Sequence, residues 1–454
     1  MLKRYKIIVA SILAGSGHNT AADLFAQVLS KNPNFEVIRF IHPSKSIDNS
    51  YNEMTKNSPI VHNFFVKHSP DITSDAITLS MIHFADECIE LVKKEKPDCV
   101  ITTHFTLSQW FKIAQWVTKL EYINITCFLD YGKRIMGELP YNLYIRPDYS
   151  VVFDKESYSS VIEKTKQRRD HIIVTGYRAK DEFLMDRSKA ISRQEAKVKL
   201  KEIFKGPMYD QISTEKVSIL IASGGGGIIQ KTKGFLKKIA QYQKRDISLI
   251  DKFQFFIVCG QNEKYYKTII KLRKTRLSWQ NIIPFQWMSP EEYKLLQKSS
   301  DYPVLYGIAP ATMHELLNNS CVPLIIHRVR GDHELRNIEF VENRKVGKYI
   351  KKDSGLIKDI FSNKYFLKKE QYLIRAEELL KEENEKLTLF GETLLDIFPK
   401  KPMPLEKIYK ADFKLKFFSY LLYILFMFIL RLRKFIYKLT GIFPWILKKF
   451  PIES

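Results

Sequence analysis

The amino-acid sequence predicts an α/β protein made of two Rossmann-like domains, each with a parallel sheet, that face each other across a cleft. Short runs rich in valine and isoleucine alternate with amphipathic helical patterns, which is typical of parallel sheets covered by helices. The alternation occurs twice, before and after a charged segment at 186–214. A chain of 454 residues is long enough for each half to bury a core of its own.

In the first half, buried strands are predicted at 5–13, 99–102, 124–129, 149–153 and 171–174. The first helix is predicted over 20–30, because its apolar residues recur at the i, i+3, i+4, i+7 spacing of one helix face. These residues are Ala21, Leu24, Phe25 and Val28. The unit is therefore a strand followed by a helix, repeated along the chain.

In the second half, strands are predicted at 217–222, 253–259, 281–284 and 322–326. The domain boundary is placed near Asp186, which gives an N-terminal Rossmann-like domain at 1–186 and a C-terminal Rossmann-like domain at 187–398. Parallel sheets bind ligands beyond the carboxyl ends of their strands, so two facing sheets make a cleft with one substrate per domain.

The last segment, 399–454, differs in kind from the rest of the chain. An uninterrupted apolar run at 417–430 is flanked on both sides by lysines and arginines, and its 14 residues are fewer than the ~20 that span a bilayer. This pattern favours an interfacial or shallow re-entrant helix over a single span. The formal net charge of +23 agrees with an anionic membrane surface as partner, and no nucleic-acid-binding module is recognised.

The cysteines indicate a reduced, cytosolic protein without a structural metal. Five cysteines are scattered along the chain without CxxC spacing or a paired framework. No pair of aspartates at a strand end and no cluster of histidine, cysteine and carboxylate residues suggests a metal site. We therefore expect no cofactor and no metal.

Two glycine-rich loops follow predicted strands and lead into helices. In the first, Gly15 and Gly17 precede His18, and an imidazole at this position can remove a proton from an acceptor hydroxyl near neutral pH. The second loop consists of Ser223, Gly224, Gly225, Gly226 and Gly227. Helix amino ends offer free N–H groups, so this second loop is predicted to bind the diphosphate and sugar of a donor, although an ordinary turn is the alternative.

A third element carries a family resemblance. Thr312 and Glu315 are followed by the strand at 322–326 and then by His333-Glu334-Leu-Arg-Asn337. This stretch resembles the donor-binding region of the lipid glycosyltransferases that include monogalactosyldiacylglycerol synthase and processive diacylglycerol glucosyltransferase. More distantly, it resembles the peptidoglycan lipid N-acetylglucosaminyltransferase. In that family the pattern reads approximately G-G-x-T-x-x-E, G-x-P-x-I, Q-E-x-x-N.

The resemblance implies a GT-B fold, in which 1–186 is the acceptor-binding domain and 187–398 the nucleotide-sugar-binding domain. It also implies a role for each matching residue. Thr312 and Glu315 belong to the donor site, with Glu315 holding the ribose hydroxyls of uridine diphosphate. The sugar is then contacted by His333, Glu334 and Asn337. The acceptor side comprises Gly15, Gly17, His104 and Asp130. The sequence departs from the family at 309–310, where Ala-Pro replaces paired glycines, and at His333, where glutamine is usual.

The resemblance implies an enzyme, a UDP-sugar-dependent hexosyltransferase that inverts configuration without a metal and has His18 as its base. Its acceptor is expected to be diacylglycerol or a glycolipid, because the cationic and apolar tail indicates the cytoplasmic face of a membrane. One alternative is a transferase acting on a polyprenyl-linked cell-envelope intermediate. Another is a catalytically silent, membrane-bound GT-B scaffold, which the Ala-Pro at 309–310 favours.

Overall fold

A computed structural model describes most of the chain. The described residues are 4–12, 16–43, 85–131, 147–165, 167–186, 191–222, 232–275, 279–319, 324–328, 334–362, 369–398, 400 and 402. Gly15, the second glycine loop at 223–227, Cys321 and His333 lie outside them, as does nearly all of the predicted tail at 399–454. Among the described helices, none has the length and apolar character needed to cross a membrane.

The first sheet is parallel and has the strand order β2-β1-β3-β4-β5-β6. Its strands are β1 (Tyr5–Ile12), β2 (Phe35–His42), β3 (Cys99–Thr102), β4 (Ile123–Cys127), β5 (Tyr149–Val152) and β6 (Ile172–Val174). The helices among them are α1 (Ser16–Leu29), α2 (Asp86–Glu95), α3 (Phe105–Thr118) and α4 (Lys155–Thr165). All five strands predicted in this half are present within one or two residues at each end, and β2 was missed.

The second sheet is also parallel and has the order β12-β11-β10-β7-β8-β9. Its strands are β7 (Val217–Ala222), β8 (Phe253–Gly260), β9 (Ile282–Gln286), β10 (Tyr302–Tyr306), β11 (Leu324–Arg328) and β12 (Gly347–Tyr349). All four predicted strands are present, and β10 and β12 were missed. The architecture of two α/β domains with parallel sheets is confirmed.

Helices cover the second sheet and continue beyond it. They are α5 (Arg193–Ile203), α6 (Thr232–Arg245), α7 (Ser248–Lys252), α8 (Glu263–Thr275), α9 (Pro290–Lys298), α10 (Pro310–Asn319), α11 (Glu334–Asn343), α12 (Asp353–Phe361) and α13 (Lys369–Ile397). The connection between the two sheets contains the predicted boundary near Asp186, which stays a prediction.

Aspartates fasten the amino-terminal edges of both sheets. In three places an aspartate just before a strand accepts a hydrogen bond of 2.7–2.8 Å from the backbone N–H of the second residue of the neighbouring strand. These pairs are Asp98 with Lys6, Asp148 with Asn124, and Asp301 with Ser218. The carboxylates thus satisfy strand-end amides inside the fold and fix the register of adjacent strands.

The last helix, α13, returns to the first domain. The Phe390 ring lies 5.4 Å from that of Phe25 on α1, and just beyond the helix Phe398 stacks on Tyr5 of β1 at 4.4 Å. Apolar residues of both sheets and of α13 form one continuous buried cluster. The docking of α13 therefore joins the two halves of the chain through apolar packing.

Replacing Lys112 with methionine should destabilise the first domain by about 3 kcal/mol, because removal of one partner of a buried ion pair leaves the other charge uncompensated. The Lys112 Nζ lies 2.6 Å from the Asp148 carboxylate, and the two side chains are 2% and 1% exposed. Chemical denaturation at neutral pH measures the change. The control is Lys93→Met, whose exposed pair with Glu90 contributes about 0.5 kcal/mol or less. Equal stability of the Lys112 and Lys93 variants would contradict the stabilising role given to the buried Lys112–Asp148 pair.

Replacing Gly176 with alanine should displace α13. A Cβ atom there would lie 1.7 Å from the Glu383 carbonyl oxygen, which is backbone and cannot move away without shifting the helix. We expect a loss of about 3 kcal/mol and faster proteolysis of α13. The matched control is Gly234→Ala on α6, where a Cβ meets nothing within 4 Å and stability should rise by up to about 1 kcal/mol. Wild-type stability in the Gly176 variant would refute this.

Candidate functional site

The order of strands in the first sheet creates a crevice. β1 lies between β2 and β3, so the connections that follow β1 and β3 run to opposite sides of the sheet. This reversal leaves a gap between the carboxyl ends of β1 and β3. His18 follows β1 and His104 follows β3. The structure therefore brings two of the predicted site residues to one crevice.

His18 lies in the first turn of α1, which begins at Ser16, four residues earlier than predicted. The predicted start was late because the first turn carries polar residues, and the apolar period begins only at Ala21. Gly17 is exposed, and a Cβ atom there would have nothing within 4 Å. Gly17 and His18 thus stand at the helix amino end, where backbone N–H groups are free for a ligand.

The ring of His18 is held in one tautomer. Its Nδ1 lies 2.5 Å from the Thr103 carbonyl oxygen, which only accepts, so Nδ1 carries the proton and donates it. The Thr103 hydroxyl in turn donates to the His18 carbonyl oxygen at 3.0 Å. The unprotonated Nε2 is left with its lone pair available to accept a proton.

Burial lowers the pKa of His18, while the hydrogen bond to Thr103 and the negative charge of Asp130 oppose the shift. The imidazole is therefore neutral at neutral pH, as a general base must be. Once it takes a proton, the same carboxylate stabilises the cation. Asp130 lies in the loop after β4 and is partly buried.

His104 stands beside His18. The two rings meet edge to face with centroids 4.9 Å apart, and His104 also stacks on Phe105 at 4.7 Å. Burial lowers the pKa of His104 well below its usual value, and the nearby His18 contributes in the same direction. The His104 Nδ1 is buried without a hydrogen-bond partner in the described structure, so this ring has an unused polar atom at the crevice.

The second domain places the other predicted residues on two helices. Thr312 and Glu315 lie on α10 and are each 7% exposed, whereas Glu334 and Asn337 lie on α11 and are 5% and 0% exposed. Asn337 is hydrogen-bonded to the predicted acceptor side, because its Nδ2 donates to the Asp130 Oδ1 at 3.0 Å. His18 and His104 thus form one pair and Asp130 and Asn337 another, and the Asp130 charge links the two pairs through its effect on the His18 pKa. The roles assigned to them from the resemblance stay predictions.

Glu315 lies in a separate, buried environment. Burial raises its pKa to about 8, against the opposing effects of the Gln297 amide and the Lys180 cation. The pKa values of Tyr177 and Tyr293 are raised mainly by burial and further by the Glu315 charge. A neutral carboxyl at pH 7 can both donate and accept a hydrogen bond.

Sequence reasoning missed a buried joint between the domains. The Tyr131 hydroxyl lies 2.9 Å from the His314 Nε2 and donates to the Glu383 Oε2 at 3.3 Å, and the same oxygen accepts from the Tyr177 N–H at 3.1 Å. The Phe340 ring stacks on Tyr131 with centroids 3.8 Å apart. We call these five residues the interdomain joint. His314 and Glu383 are buried titratable residues that no local pattern marks as buried, and only the fold brings the five together.

Replacing Glu315 with glutamine should reduce the fall of stability with pH. Because the folded-state pKa of about 8 exceeds the unfolded value of about 4.3, the folded chain holds a proton that the unfolded chain releases. The unfolding free energy should therefore fall between about pH 4.3 and pH 8, by at most about 1.4 kcal/mol per pH unit. Denaturation across this window should show the difference between wild type and variant widening with pH. A constant difference would refute the raised pKa.

A family model described as monogalactosyldiacylglycerol (MGDG) synthase matches residues 18–176. No curated protein sequence matches the chain significantly. The matched region begins at His18 and ends at Gly176, so it contains His104, Asp130 and the strands from β2 to β6.

Solved structures share the architecture at low identity. An α,α-trehalose 6-phosphate synthase from Burkholderia multivorans aligns over 87% of this chain and 98% of its own, with 8% identity and a TM-score of 0.57. A UDP-GlcNAc 2-epimerase from Neisseria meningitidis, bound to UDP-GlcNAc, covers 86% and 100%, with 14% identity and a TM-score of 0.52. MurG from Acinetobacter baumannii covers 87% and 100%, with 11% identity and a TM-score of 0.50.

The structural alignments extend over both sheets, whereas each sequence motif covers only a short stretch of one domain. The structural matches establish the fold alone, and the family match is confined to the first domain. The chain has the GT-B fold, and the resemblance to the lipid glycosyltransferase family of MGDG synthase is confirmed by the match over residues 18–176.

Proposed function

We propose that the protein is a glycosyltransferase that moves a hexose from a UDP-sugar to a lipid acceptor, diacylglycerol or a glycolipid, with inversion and without a metal. The observation that carries the proposal is the geometry of His18: its Nδ1 is hydrogen-bonded to the Thr103 carbonyl oxygen, which leaves Nε2 as the nitrogen that can accept a proton, at the crevice of the first sheet. The MGDG synthase match includes this residue.

In the proposed reaction, Nε2 of His18 removes the proton of the acceptor hydroxyl. The oxygen attacks the anomeric carbon, the bond from that carbon to the diphosphate oxygen breaks, and uridine diphosphate leaves with the electron pair. Nδ1 keeps its hydrogen bond to Thr103 throughout, and the Asp130 charge stabilises the imidazolium. His18 then returns the proton to solvent or to the leaving group.

The donor is proposed to bind the second domain. The Neisseria epimerase of the same fold is bound to UDP-GlcNAc, and the glycine loop at 223–227 follows β7 in the sequence and is proposed to hold the diphosphate with its backbone N–H groups. Glu315 is proposed for the ribose hydroxyls, and Thr312, His333 and Glu334 for the remainder of the donor. No residue is assigned to a metal, and the backbone amides of the glycine loop at 223–227 are proposed to stabilise the charge of the leaving group.

The proposed site of action is the cytoplasmic face of an anionic membrane. The net charge of +23 and the cationic, apolar segment at 399–454 support peripheral or shallow association. Such a tail would hold the enzyme at the membrane surface, where the hydroxyl of an amphipathic acceptor lies at the headgroup level.

Replacing His18 with alanine should lower the rate of transfer by about 10²- to 10⁴-fold while leaving uridine-diphosphate affinity unchanged, because the base acts only on the acceptor. The assay uses the full chain, anionic liposomes containing diacylglycerol, and a panel of radiolabelled UDP-sugars, with hydrolysis subtracted. Calorimetry measures uridine-diphosphate binding.

The matched control is His171→Ala. His171 also places its Nδ1 on a backbone carbonyl, that of Asp148 at 2.9 Å, but it precedes β6 at the opposite edge of the sheet. Transfer at the wild-type rate in the His18 variant would remove the base assignment. Tight uridine-diphosphate binding without transfer would indicate another acceptor, such as a polyprenyl-linked intermediate, and absence of binding would favour the silent scaffold.

A further inference from the structure

A pocket of about 450 Å³ opens at the amino-terminal edge of the second sheet. Its walls are the first residues of α5, the segment 214–217 that leads into β7, and the end of α9 with Asp301, which precedes β10. The donor is proposed for the carboxyl end of β7, and the six residues of this strand separate its two ends by roughly 17 Å. The pocket is therefore distinct from the proposed donor site.

Positive charge exceeds negative charge in this pocket. Four cationic side chains line it, those of Arg193, Lys197, Lys216 and Lys298. Against them stand two carboxylates, on Glu215 and Asp301. Glu215 is exposed, so water and salt screen its charge. The surplus of two positive charges attracts anions to the pocket.

Asp301 does not remove this surplus, because the protein already uses both of its carboxylate oxygens. Its Oδ1 accepts from the Arg193 Nη1 at 2.6 Å, and its Oδ2 accepts from the Ser218 N–H at 2.8 Å and from the Lys197 Nζ at 3.4 Å. The Lys197 side chain is only 3% exposed, and its ammonium also donates to the Lys216 carbonyl oxygen at 2.7 Å. Lys197 and Asp301 are thus fixed parts of the pocket wall.

Two cationic donors at the pocket have no partner in the described part of the chain. Lys298 is half-buried, and its ammonium makes no hydrogen bond or ion pair with the described residues. The Nε of Arg193 is buried and also unpaired among them. Lys216 donates to the Ile250 carbonyl oxygen at 3.0 Å, but its ion pair with Asp251 is 4.0 Å long and that carboxylate is 81% exposed. The pocket therefore has donors available for an anionic acceptor from outside the protein.

We propose that this pocket binds the phosphate group of a small molecule, with Lys298 and Arg193 as its donors. The surplus of two positive charges matches a phosphate monoester, which carries about −1.5 to −2 at pH 7. Arginine and lysine are the side chains that bind phosphate most often, through charge-assisted hydrogen bonds. A water molecule takes about 30 Å³, so a phosphate ion leaves most of the pocket for the rest of its molecule. The site does not rest on the proposed function.

Calorimetry with pyrophosphate on the full chain tests the site, with saturating uridine diphosphate present so that the proposed donor site is occupied. Lys298→Gln removes one charged donor and breaks no contact among the described residues. It should weaken pyrophosphate binding by about tenfold to a hundredfold, because a hydrogen bond to a charged group contributes that much. The matched control is Lys199→Gln, which removes an exposed cation of α5 that does not line the pocket and should bind as wild type does.

Equal pyrophosphate affinity in wild type and Lys298→Gln would overturn the proposal, and so would loss of pyrophosphate binding when uridine diphosphate is added. Denaturation gives a second measurement: pyrophosphate should raise the unfolding midpoint of wild type and Lys199→Gln, but not that of Lys298→Glu, in which the charge is reversed. If uridine diphosphate does not bind, the proposed donor site fails, yet the comparison of the Lys298 and Lys199 variants still decides the pocket.

A parallel titration distinguishes a soluble ligand from a lipid headgroup, because both present the same phosphate chemistry. Dihexanoyl phosphatidic acid, a short-chain lipid, is compared with pyrophosphate on wild type and Lys298→Gln. Tighter binding of the lipid that is lost in Lys298→Gln supports the site and assigns its phosphate to a headgroup. Tighter binding of pyrophosphate with the same dependence supports the site and assigns a soluble compound. Binding of neither probe to wild type overturns the proposal.

Discussion

The structure depends on one physical constraint: the loop after β4 cannot satisfy its own buried polar groups. The Tyr131 N–H is bonded by Asn337, and its hydroxyl is bonded by His314 and Glu383. These three partners lie on α11, α10 and α13, respectively, which all follow β7 in the chain. A buried polar group without a partner costs about 1–3 kcal/mol, so the loop is complete only when the second domain and α13 are docked.

Burial shifts the pKa values of the titratable groups in the joint towards their neutral forms. Burial lowers the pKa of His314 to about 3 and raises that of Glu383 to about 7, with Lys386 opposing the second shift. Because Tyr131 donates its proton to Glu383, His314 donates from Nε2, and its Nδ1 is left buried without a partner. Neutral hydrogen-bonded groups avoid most of the desolvation cost that a buried ion pair carries.

Sequence reasoning predicted the sheets well because their signal is local. Strands such as 99–102 and 217–222 are runs of mostly apolar residues, so the sequence predicts them as buried strands and the structure has them at the same residues. β2 and β10 were missed for a physical reason: β2 is an edge strand with a half-exposed pattern, and β10 contains a proline.

The candidate site was predicted in part. His18 and His104 follow strands that are neighbours in the sheet, and the rule that ligands bind at carboxyl ends was sufficient to bring them together. The place of Asn337 beside Asp130 depends on how two domains dock across 206 residues or more of chain, which no local pattern encodes. The family motif supplied the residue, and its sugar-contacting role stays a prediction.

A transferase of this fold must place an acceptor on one domain and a donor on the other within a fraction of an ångström of the reactive geometry, because displacement by about 1 Å can cost 10²-fold in rate. Here the interdomain joint is built on Tyr131, which is hydrogen-bonded to His314 and Glu383 and stacked on the Phe340 ring. Asp130 precedes Tyr131 in the chain and is hydrogen-bonded to Asn337 of the second domain, so a shift of that domain would displace this carboxylate as well.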